Sequence, residues 1–131
     1  RIALALSILV IFAGTIVTGS GPHAGDDLAE RFNLDPKTMS WIHADLVIAL
    51  IGVTAALLIA IRLAEPETVK QSWGKSARNF LLVCLGQGTI GYAQYFTGLP
   101  ILLVAFHILG AVLVWLSIWN LTIKGSVLSR P

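Results

Sequence analysis

Two histidines carry the sharpest chemical signal in this chain. His43 and His107 each stand near the start of a long apolar run. An ionisable group inside a membrane is costly, so it turns to the protein interior and usually has a task. If both runs enter from the same side, His43 lies about one turn and His107 about two turns below the surface. Two imidazoles facing each other across a helical core suit axial ligation of a haem iron. The flat ring would then stand between the second and fourth helices. The competing reading is that each histidine only hydrogen-bonds a neighbouring helix. Their matched places in an internal repeat favour a cofactor.

Other residues are candidates for supporting roles. Gln87, Gln94 and Tyr95 could donate hydrogen bonds around the cofactor, with Gln94 at its depth. His23 sits in a Gly-rich turn and is a candidate third, exchangeable ligand. Arg31 and Lys37 share its loop and could pair with propionates, though a solvated loop explains them as well. Gly14, Gly52, Gly86, Gly88, Gly91 and Gly110 would let a porphyrin approach the backbone, as would ordinary small-residue packing. Asp45 is two residues after His43, about 200° around a helix, and cannot share its face. Cys84, the single cysteine, excludes an intrachain disulfide and any Cys-rich metal site. Trp41, Trp73, Trp115 and Trp119 fall toward helix ends, as interfacial anchors do.

The elements that must position these residues are helices. No Asp, Glu, Lys or Arg occurs in the 24 residues from Ile2 to Gly25. A second apolar run of 21 residues spans Trp41 to Ile61, with Ser40 as its expected N-cap. A third charge-free stretch covers the 45 residues from Asn79 to Ile123. As one helix it would measure roughly 68 Å, twice a bilayer. It must fold back at Thr97-Gly98-Leu99-Pro100. The expectation is four transmembrane helices, near 2–18, 41–62, 78–96 and 101–123.

Lys and Arg set the orientation. Arg1, Arg62, Lys70, Lys75, Arg78, Lys124 and Arg130 fall on one side, against Arg31 and Lys37 on the other. Both termini and the 63–77 loop are therefore expected in the cytoplasm, with 19–40 outside. A repeat is visible: Gly14-Thr15-Ile16 leads to Thr18-Gly19-Ser20-Gly21-Pro22, and Gly88-Thr89-Ile90 to Thr97-Gly98-Leu99-Pro100. After each Pro comes a helix with one histidine. The expected fold class is an all-α membrane protein, a four-transmembrane-helix bundle of two pseudo-twofold-related hairpins, forming one domain over 1–131.

Composition agrees. Of 131 residues, 56% are hydrophobic and only 12% charged, and mean hydropathy is +0.81. A soluble domain carries about 25% charged residues, so a water-covered surface is excluded. The net charge of +2 and the lack of a basic tract exclude nucleic acid as a partner. The lipid bilayer is the expected surrounding. Arg1 runs directly into apolar sequence without an initiator Met, so a piece of a longer protein is expected.

Several strings are specific. They are Val17-Thr18-Gly19-Ser20-Gly21-Pro22-His23-Ala24-Gly25-Asp26, Trp41-Ile42-His43-Ala44-Asp45, the run from Gln87 to Pro100, and His107-Ile108-Leu109-Gly110. Together they resemble the carboxy-terminal half of a bacterial haem A synthase, nearest the actinobacterial form, over almost the whole chain. The resemblance implies an eight-helix plasma-membrane protein of two similar halves, which oxidises the C8 methyl of haem O to the formyl of haem A. It implies that His43 and His107 hold a b-type haem and its iron. It also implies that the substrate haem O sits in an amino-terminal four-helix half, the partner of this one. In that half a Glu stands three residues before the second-helix histidine and usually an Arg just after. Here those positions are Ser40 and Ala44, so this half alone is not expected to be catalytic. The outer-loop cysteine pair common in the family is missing.

Two other readings stay open. One is a free-standing bis-histidine cytochrome b that passes electrons to another protein or a quinone. The other is a cofactor-free structural subunit. A homo-oligomer is compatible with all three.

Overall fold

The computed structural model describes residues 1–22, 28 and 30–128, and every described element is helical. Helix α1 covers Ile2–Ser20, α2 Pro36–Ala64, the short α3 Glu67–Val69, α4 Lys75–Phe96 and α5 Ile101–Leu128. A five-residue π-helical turn, Lys70–Gly74, joins α3 to α4. Three of these helices, α1, α2 and α5, are long and apolar enough to cross a membrane. Helix α4 has 22 residues, about 33 Å, but more polar side chains.

Local chemistry explains the ends. Gly21 closes α1, its N–H donating to the Val17 carbonyl at 2.9 Å, and Pro22 prevents continuation. Phe32 folds back over α1: its N–H donates to the Gly19 carbonyl at 3.0 Å and its ring covers Gly19, where a side chain has no room. Helix α2 starts five residues earlier than the apolar run suggested. Its cap is Asp35, not Ser40. Asp35 Oδ2 accepts from the Thr38 N–H at 2.8 Å and from the Thr38 hydroxyl, with Pro36 at the first helical position. Ser40 lies inside the helix, its hydroxyl donating to the Pro36 carbonyl at 2.7 Å. The expected break between α4 and α5 is present. Gly98 (φ 79°) and Leu99 (φ 59°) both adopt the left-handed region, and the Leu99 N–H donates to the Gln94 carbonyl at 2.7 Å.

The chain closes into a bundle through four helix pairs: α1 with α2, α2 with α4, α4 with α5, and α5 with α1. Hydroxyls inside it are satisfied by their own helices. Ser7 donates to the Ala3 carbonyl and Thr54 to the Leu50 carbonyl, each at 2.7 Å. Trp73 is no free interfacial anchor. The π-helical turn sets it against α5, where Nε1 donates to the Leu121 carbonyl at 3.2 Å and the ring lies over Gly125.

The core is not spread evenly. Its buried hydrophobic residues are Ala3 and Val10 on α1, Leu50 and Ile61 on α2, Ala77, Phe80 and Cys84 on α4, and Val114, Ile118 and Leu121 on α5. Every one lies at mid-helix or toward the end that carries Arg1, Arg62, Lys75, Arg78 and Lys124. In the opposite half, among the described residues, no hydrophobic side chain is fully buried.

Candidate functional site

That opposite half is the histidine end. With α2 beginning at Pro36, His43 is about two turns in, matching His107 on α5. The bundle brings the two together, with ring centroids 6.4 Å apart and planes at 86°. Imidazoles sharing one metal ion at about 2.0–2.1 Å per bond have centroids roughly 6 Å apart. The spacing therefore accommodates one ion between them.

Each ring is backed by a glycine of the preceding long helix. A Cβ on Gly14 of α1 would lie 3.2 Å from His43 Cε1, and one on Gly91 of α4 would lie 3.3 Å from His107 Cε1. The residue types alone leave these glycines open between porphyrin approach and ordinary helix packing; in the structure they seat the histidines. Gly110 is crossed by the Gln87 side chain, which occupies the place of a Cβ. Gly52, Gly86 and Gly88 meet no neighbour there.

Polar bookkeeping at this end does not close. Nδ1 of His43, Nδ1 of His107, Oε1 of Gln94 and Nη1 of Arg31 are buried without a hydrogen-bond partner. Each such atom costs about 1–3 kcal/mol, and in folded proteins most buried polar groups are paired. Gln94 is three residues after Gly91, so it shares the face of α4 on which His107 rests. Among the described residues Arg31 reaches the Pro22 carbonyl, from Nη2 at 3.5 Å. No residue pattern signals that its guanidinium is partly buried.

The remaining candidates separate from this group. Lys37 stands 5.1 Å above the Trp41 ring, and Asp45 is exposed. Cys84 is buried in the packed half. Outside the membrane segments, the Thr38 hydroxyl and N–H hold the Asp35 carboxyl below its ordinary value. His23 lies outside the described residues, as do Asp26, Asp27 and Arg130. No group of three or more His, Cys, Asp or Glu side chains converges among the described residues, so the histidines act as a pair.

Comparison with protein families, with characterised proteins and with solved structures finds no match to this chain.

Proposed function

We propose that this chain is a haem-binding membrane bundle, the b-haem half of a haem A synthase. The observation that carries the haem reading is the histidine end itself. Two imidazoles lie edge-on with centroids 6.4 Å apart, and among the described residues four buried polar atoms there lack partners and the surrounding half holds no fully buried hydrophobic side chain. Protein interiors are close-packed, so a half with no fully buried hydrophobic side chain among the described residues suits completion by a large flat apolar ligand. The residues fit such a group.

His43 from α2 and His107 from α5 would hold the iron. Gly14 and Gly91 fix the rings by leaving no slack behind them. Gln94 and Arg31 offer polar atoms toward the same end, Arg31 as a cation for a carboxylate. The dry half below excludes water from that side. Bound b-type haem supplies one-electron transfer. With both His43 and His107 on the iron, no position would be left for oxygen, and Ser40 offers no carboxylate. We therefore assign catalysis on haem O to the amino-terminal half and electron transfer and scaffolding to this one. The motif strings described above support the synthase assignment.

Helix α4 serves as the fourth crossing in this reading. Its lower hydropathy comes partly from Gln87 and Gln94, which turn toward the bundle rather than the lipid. The matched glycine–histidine seats support a pseudo-twofold relation between the hairpins. The basic end is cytoplasmic, in a bacterial plasma membrane. A reporter fused after Pro131 that is active only on the exterior would reverse the orientation.

The haem test is spectroscopic. The full chain should show a six-coordinate, low-spin b-type spectrum. His43→Ala and His107→Ala should each abolish the low-spin signal while helicity is kept. Unchanged spectra in both variants would remove the assignment.

A further inference from the structure

A second site lies at the opposite end, on the outside of the bundle. Between α4 and α5 runs a depression of about 340 Å³. Lys75 and Lys124 stand at its rim, because the two helices are antiparallel and these residues share an end. One turn deeper come Asn79 on α4 and Asn120 on α5, both exposed. Deeper still, Leu113 and Leu116 line the same depression and are 54% and 59% exposed. From Lys124 to Leu113 the groove extends roughly 16 Å along the helix.

The order of chemistry along this groove is that of a phospholipid: cation, then hydrogen-bonding amide, then apolar wall. Exposed asparagines on the lipid-facing side of a membrane helix are costly without a polar partner. Asn120 Oδ1 accepts from the Ser76 hydroxyl at 3.1 Å, which leaves its amide N–H groups to donate outward. Neither lysine has a carboxylate within ion-pair distance among the described residues. An adjoining depression, of about 420 Å³, shares Lys75 and adds Arg62, Lys70 and Arg78. Its Glu67 is already engaged by Lys70 at 3.8 Å. The field at this end therefore attracts anions.

We propose that the α4–α5 groove binds the headgroup phosphate of an anionic phospholipid between Lys75 and Lys124, with Asn79 and Asn120 as donors and an acyl chain along Leu113 and Leu116. Basic pockets between membrane helices take anionic headgroups on general electrostatic grounds. The apolar floor of the groove distinguishes a lipid from free phosphate. The inference rests on the membrane placement alone and is independent of the histidines.

The test is native mass spectrometry of the full chain in detergent, titrated with phosphatidylglycerol, phosphatidylcholine or inorganic phosphate. Phosphatidylglycerol should be retained in preference to phosphatidylcholine, and inorganic phosphate should not displace it. Lys75→Gln with Lys124→Gln should lower retention roughly twenty-five-fold, about fivefold per lysine, while Lys75→Arg with Lys124→Arg keeps it. If the Gln pair does not insert, Leu113→Ser with Leu116→Ser reads the acyl contact instead and should also lower retention. His43→Ala with His107→Ala should bind lipid as the parent does, so loss of haem and loss of lipid are read separately. Equal retention of the two lipids, displacement by inorganic phosphate, or undiminished binding in the Gln or Ser pairs would overturn the proposal.

Discussion

The two ends of this bundle are built on different principles. At mid-bundle and toward the basic end, Phe80, Leu50, Ile61 and Ile118 are fully enclosed, and the buried hydroxyls of Ser7 and Thr54 are satisfied within their helices. At the histidine end, among the described residues, no hydrophobic side chain is enclosed and four buried polar atoms are unpaired. The same four helices pass through both. The difference teaches where stability and where chemistry reside. Lipid is as apolar as Leu, so helix association in a membrane depends on close packing and hydrogen bonds rather than on escape from water. The packed end supplies that contact. The open end can then carry strain and unpaired atoms.

Filling the open end should produce the largest effect. Gly14→Leu or Gly91→Leu drives a side chain into the imidazole that each glycine supports. We expect haem retention to fall about a hundredfold, equivalent to about 2.7 kcal/mol and within the usual overpacking range. Helicity should stay unchanged. Haem loading measured by absorbance checks this; normal loading in both variants would mean the glycines do not seat the ligands.

Opening the packed end should have a different signature. Phe80→Ala leaves a cavity at a site with no exposure. In lipid the transfer contribution largely drops out, so the cavity dominates, at roughly 2 kcal/mol. Unfolding in a denaturing detergent should shift accordingly, with the haem spectrum intact. A lost spectrum with stability unchanged would show that the ends are not separable.

The smallest effect belongs to the cap. Asp35 is held below its ordinary value of 3.8, first by the Thr38 hydroxyl and then by the Thr38 N–H. A depressed carboxyl contributes stability that is full above the unfolded value and is lost as pH falls through the lower folded one. Asp35→Ala, or acidification below 3.8, should therefore fray only the first turn of α2. Amide exchange at Thr38 would report it, while His43, about two turns further in, keeps its place.

Much of this arrangement was legible in the residues. The runs ending at Gly21-Pro22 and at Thr97-Gly98-Leu99-Pro100 fixed the hairpins, because Gly and Pro act locally. The closeness of His43 and His107 followed from similar depth on helices of the same direction. The start of α2 was misplaced because the cap was sought at the edge of the apolar run, although Asp35-Pro36 with Thr38 already spelled one. The contrast between the ends was not legible. Helices apolar all round carry no stripe that tells a buried face from a lipid-facing one. The seating of each histidine on a glycine depends on helix rotation, which no short string encodes. The Trp73 contact was not legible for a similar reason, since the π-helical turn that aims it at Leu121 has no sequence signature here.

The hairpin joints differ in how much length change they can absorb. Four residues link α4 to α5, two of them left-handed and one a proline. Fifteen link α1 to α2. An inserted residue near the short joint has little slack to take it up, and if carried into α5 it turns that helix by about 100°. His107 would then leave Gly91. The same insertion in the long connection can be taken up before α2 begins. Variants of this chain that differ in length should therefore differ in the α1–α2 connection, with Thr97 to Pro100 constant.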